Sequence, residues 1–137
     1  MTNLVEPHGS SELKPLIIMD KTESEDIIRS SSNTKQLELN SSVSANVVML
    51  GAGYFTPLIG FMDKENALNV ARNMQTTEGV FWPIPIMNLS TIKATEFTKG
   101  EELLLLDPNY PDKRPIAIQT VDSVEDMNTE ELEIITA

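Results

Sequence analysis

Hydrophobic positions in this chain come in short runs, each closed by glycine, proline or a polar cluster. The clearest is Val47-Val48-Met49-Leu50, which leads into Gly51-Ala52-Gly53, an aromatic pair, Thr56-Pro57-Leu58 and Gly60-Phe61-Met62. Two glycines flanking Ala52 permit positive φ or a close backbone approach, and Pro57 fixes its own φ and biases Thr56 towards an extended conformation. The stretch therefore reads as a strand followed by a shaped turn. Leu13 to Asp20 reads as a further strand with Pro15 near its start, where a missing amide is tolerated at a sheet edge. Gln36-Leu37-Glu38-Leu39-Asn40 and Pro115 to Val121 alternate with period two, the pattern of half-buried strands. Thr98 to Glu102 makes a tight turn into the apolar run Leu103 to Leu106, and two prolines make Val80 to Leu89 an irregular or edge strand.

Helical spacing is strongest after Met62. Asp63 is a good N-cap, and Ala67, Val70, Ala71 and Met74 fall on one stripe of a helix from about Lys64 to Gln75, which predicts core packing. Arg72 and Asn73 face elsewhere. A short helix fits Ser24 to Arg29, a polar loop follows over Ser30 to Thr34, and Ser41 to Ala45 reads as a small-residue bend. Near the end, Asn128 with Glu131 three positions on starts a short amphipathic helix that is either docked on the domain or cut from something longer. Together these elements predict a mainly β domain with a few short helices, an α+β and barrel-like fold.

Composition narrows the chemistry. The chain has 137 residues, enough for one domain that buries roughly two-thirds of its unfolded surface. It has no cysteine and one histidine, His8, which removes disulfides, thiolate metal sites, cysteine nucleophiles and most histidine metal sites. His8 lies in a Pro-His-Gly turn and reads as a structural hydrogen-bonding residue. A net charge of -11 opposes binding to a polyanion, so nucleic acid is not an expected partner. No apolar run approaches the roughly 20 residues of a membrane span, and Met1 to Glu6 does not read as a signal peptide, so no membrane partner and a cytoplasmic location are expected. Gly51-Ala52-Gly53 invites a dinucleotide reading, but Thr56-Pro57 stands where the fingerprint needs a third small residue and an opening helix.

With the elements in place, the chain resembles the N-terminal domain of ATP sulfurylase (sulfate adenylyltransferase), in its dissimilatory-type bacterial and archaeal form. The matching residues are Pro7-His8-Gly9 with Glu12 to Leu16, the Gly-x-Phe-(Ser/Thr)-Pro-Leu-x-Gly-Phe-Met pattern in Gly53 to Met62, Phe81 to Ile86, Leu106-Asp107-Pro108 and Pro115-Ile116-Ala117. The resemblance implies a PUA-like pseudobarrel over residues 1–137, incomplete at its C-terminal end, without the nucleotidyltransferase domain that carries the chemistry. It implies no catalytic, cofactor-binding or metal residue in this chain, since Arg72-Asn73 is followed by Met74 rather than by the proline of the family's Gln-x-Arg-Asn-Pro-x-His motif. ATP with magnesium, and sulfate, would be bound by the full enzyme. Tyr54, Phe55, Pro57, Leu58, Gly60, Phe61 and Met62 carry the family motif and shape a core or a face against the catalytic domain, the expected partner, in an enzyme that can form a homo-oligomer. The alternatives are a free-standing PUA-like module for RNA or a small ligand, and a structural subunit of a split enzyme.

Overall fold

A computed structural model of the protein describes residues 4–137. In chain order they form helix α1 (Lys21–Ser30), strand β1 (Lys35–Glu38), helices α2 (Ser41–Gly51) and α3 (Lys64–Asn73), strands β2 (Glu102–Leu106) and β3 (Pro115–Thr120), and helix α4 (Thr129–Thr136). The strands make one sheet in the order β1-β2-β3, so the architecture is α+β, as expected. The chain divides into two compact units, one made by the segment up to Gly60 with Leu104–Ala117, the other by Phe61–Leu103 with Ile118–Ala137.

In the first unit, Leu37 and Leu39 point inward from β1 and its end, as their period-two spacing requires, and pack in a core with Val43, Leu50, Leu104 and Leu105. Leu39 N donates to Leu106 O at 3.1 Å, and Asp107 N to Arg114 O at 3.0 Å closes the β2–β3 hairpin. One expectation fails here. Val47 to Leu50 is the end of helix α2, not a strand, and Ser41 to Ala45 is that helix's first turns rather than a bend. Asn40 decides it: its side chain accepts from Val43 N and satisfies an amide that the first turn leaves orphaned. Val43 and Leu50 then lie seven apart on one buried face while Val48 faces solvent.

Leu13 to Asp20 is likewise not a strand. Its amides pair with a helix end instead of a ladder: Leu16 N and Ile17 N both donate to Gly51 O at 3.0 Å, covering a carbonyl exposed by the C-terminus of α2. Asp20 then caps α1, accepting from Glu23 N, and this helix starts three residues before the expected Ser24.

In the second unit, α3 begins as expected at Lys64 under the Asp63 cap and buries Ala67 and Val70 completely. It ends earlier than the stripe implies. Met74 takes a left-handed conformation with φ 52°, its amide bonded to Val70 O, and its side chain leaves the stripe for solvent. Val80 to Leu89 is irregular as expected, tied by an isolated antiparallel bridge between Gln75 and Phe81, by Trp82 N to Met74 O, and by Met62 N to Ile86 O at 2.7 Å. Gly100 sits at φ +86° in the Thr98–Glu101 turn, and Val121 pairs with both Gly100 and Glu101, a glycine bulge that opens the hairpin. Helix α4 is docked: it packs on α3, and Lys64 Nζ reaches Glu131 at 3.0 Å while Lys64 N donates to Glu125 at 2.9 Å.

Candidate functional site

The most specific stretch of the sequence, Gly51 to Met62, is built around the C-terminus of α2. Gly53 has φ +79°, and a Cβ there would stand 3.1 Å from Pro15 N and 3.2 Å from Pro15 Cα. This position therefore uses both properties of glycine, a left-handed backbone and room for a second chain segment. Gly51 uses neither, as its Cβ direction is open. Thr56 is buried; its hydroxyl donates to Gly53 O at 2.7 Å and accepts from Lys14 N at 3.0 Å. The Thr56–Pro57 peptide is cis, in a turn closed by Leu58 N to Phe55 O at 2.7 Å. Because the glycines follow a helix rather than open one, no helix N-terminus meets them, and the stretch has no phosphate-cradling geometry.

Of the expected motif residues, Tyr54 is 74% exposed and Met62 is buried at 6%. Phe55, Pro57, Leu58, Gly60 and Phe61 are half-buried. Tyr54 to Gly60 belong to the first unit, Phe61 and Met62 to the second. They do not form a cluster of chemically competent groups; they hold backbone and fill space. What sequence reading missed lies beside them in the first unit. Leu13, Leu16, Ile17, Ile18 and Met19 are all exposed, although their backbone is bound at Lys14, Leu16 and Ile17. The signal was present in the run itself, which has no polar alternation and so is not the pattern of a half-buried strand.

Two carboxylates are perturbed, both by structural partners. Asp107 is buried in the hairpin turn, and its pKa is held below the ordinary 3.8 chiefly by the Asn109 backbone amide, helped by the Ser44 hydroxyl, the Asn109 side chain and the charge of Arg114. Glu131 is held below 4.5 by the Asn128 amide of its capping box, then by Lys64 and Arg72. A carboxyl whose pKa falls on folding adds stability above its unfolded value and loses it as pH drops through the folded one. Urea midpoints should thus fall as pH is lowered from about 5 to about 3, and Asp107→Asn should flatten that dependence while lowering the midpoint at neutral pH.

A groove of about 230 Å³ beside α3 is lined by Glu65, Leu68, Asn69, Arg72, Asn73 and Thr77. Its amides are engaged internally, Asn69 Nδ2 with Gln75 O at 2.6 Å and Asn73 Nδ2 with Asn69 Oδ1 at 2.8 Å. Among the described residues, no group of three histidine, cysteine, aspartate or glutamate side chains is placed to hold a metal ion, and no helix is long and apolar enough to cross a membrane.

The chain is 40% identical over 136 residues to the sulfate adenylyltransferase of Alcanivorax borkumensis, covering 98% of this chain and 33% of that protein. It is 32% identical to the sulfate adenylyltransferase of Allochromatium vinosum, covering 97% of this chain and 33% of that protein. The chain thus spans about a third of the length of these curated relatives. Among solved structures, the hexameric APS kinase from Thiobacillus denitrificans superposes with a TM-score of 0.69 at 31% identity, over 85% of this chain and 23% of that one. The family model for a PUA-like domain matches residues 5–134, and the chain belongs to that family.

Proposed function

We propose that this chain is the N-terminal, non-catalytic PUA-like portion of a sulfate adenylyltransferase, the enzyme that joins ATP and sulfate into adenosine 5'-phosphosulfate and pyrophosphate. The observation that carries the reading is the similarity to the Alcanivorax borkumensis protein along 98% of this chain but only 33% of that one. Adenylyl transfer needs cationic and hydrogen-bonding donors around the transferring group. Here Arg72 and Asn73 sit exposed at the end of α3 and the sequence holds one histidine, His8, so those donors, with the sites for ATP, magnesium and sulfate, are assigned to the catalytic nucleotidyltransferase domain, the partner of this one. The whole would work in the cytoplasm, without nucleic acid or membrane. Assembly into a homo-oligomer is consonant with the hexamer described for the Thiobacillus denitrificans protein.

The test uses two proteins. This chain alone should release no pyrophosphate from ATP and sulfate. A chimera in which it replaces the matching third of the Alcanivorax borkumensis enzyme should turn over. Turnover by the chain alone, or a folded but inactive chimera, would overturn the proposal.

A further inference from the structure

Leu13 to Met19 has an unusual combination of properties. Its backbone is fastened to the end of α2 by Lys14 N on the Thr56 hydroxyl, by Leu16 N and Ile17 N on Gly51 O, and by the fit of Pro15 against Gly53. Its large apolar side chains are nevertheless in water: Met19 is 84% exposed and Ile17 58%, with Leu13, Leu16 and Ile18 also exposed. A loose segment could fold its apolar groups away. A segment pinned at four consecutive residues presents them, and a contiguous apolar strip of this kind marks a surface that another surface covers.

We infer that this strip, with the exposed Tyr54 that follows Gly53 in sequence, is the docking face for the catalytic part of the enzyme. The inference rests on the proposed function, because the occupant is the two-thirds of the relatives' length that this chain does not span. Charge argues against the other occupants. Lys14 is the only charged residue from Leu13 to Met19, too little for an anionic lipid surface, and a net charge of -11 on each copy opposes self-association. A low-charge apolar strip with an aromatic at its side has the composition of an interface core.

Hydroxyl-radical footprinting of the free chain and of the chimera tests this, with Met74 and Phe81 as exposed references in the second unit. Oxidation of Met19 and Tyr54 should fall at least about fivefold in the chimera, as for a side chain passing from exposed to core-like burial. Ile17→Asp should restore that oxidation in the chimera and leave the melting temperature of the free chain unchanged. Equal oxidation of Met19 and Tyr54 in the two proteins would overturn the inference, as would a free chain that dimerises until Ile17→Asp is introduced. The footprint and the turnover of the chimera are separate readouts. A turning-over chimera with an accessible strip removes the docking face alone, and an inactive chimera with a protected strip removes the proposed function alone.

Discussion

Gly53→Ala should destabilise the chain by about 2–4 kcal/mol, whereas Gly51→Ala, two residues away, should be neutral or stabilise by up to about 1 kcal/mol. The difference follows from the backbone. At φ +79° an alanine pays about 1–2 kcal/mol for the left-handed conformation, and its Cβ would meet Pro15 N and Cα at 3.1 and 3.2 Å. Those are main-chain atoms of a segment held on both sides by hydrogen bonds, so they cannot swing aside like the tip of a side chain. Gly51 ends α2 with open space in its Cβ direction, and there alanine simply favours the helix. Urea unfolding followed by circular dichroism reads both variants. Equal effects at the two positions would show that the Pro15 contact does not form. In the chimera, Gly53→Ala should also loosen the Leu13–Met19 strip, since Pro15 is one of the residues that fasten it.

Ile86→Ala should cost about 3 kcal/mol, within the 2–5 kcal/mol of buried isoleucine truncations. Ile86 is fully buried and, with Leu105, is among the largest fully buried side chains of the described residues. Its carbonyl accepts from Met62 N at 2.7 Å, so a cavity would open next to the segment that leads into α3. Pro85 precedes it and restricts how far the backbone can collapse into that cavity. Trp82, the single tryptophan, is buried in the same unit, and its fluorescence during urea unfolding measures the loss. A change below about 1 kcal/mol would mean that the site refills by local collapse.

Sequence and structure divide the molecule unevenly. Where a pattern is closed by its own neighbours it was legible: Asp63 and Asn128 cap α3 and α4, Gly100 turns the chain into β2, and Leu37 in β1 alternates with Leu39 just past its end. The turn between Gly53 and Leu58 was legible too, since Gly53 takes φ +79° and Pro57 lies in the tight turn closed by Leu58 N on Phe55 O. Val47 to Leu50 was not. Two β-branched residues in a run of four fit a strand or a buried helix equally, and only the cap from Asn40, with burial of Val43 and Leu50 seven apart, selects the helix.

The stretch from Gly51 to Met62 shows the same division within itself. By itself the sequence determined that glycines and Pro57 shape a turn there, because those residue types restrict or free the backbone wherever they stand. Only the tertiary structure decided which glycine is indispensable, through the Pro15 backbone lying against Gly53, and that Leu13 to Met19 faces outward, because its amides are drawn to the end of α2 instead of to a neighbouring strand. Contacts between residues some 40 positions apart set both outcomes, and no local periodicity encodes them.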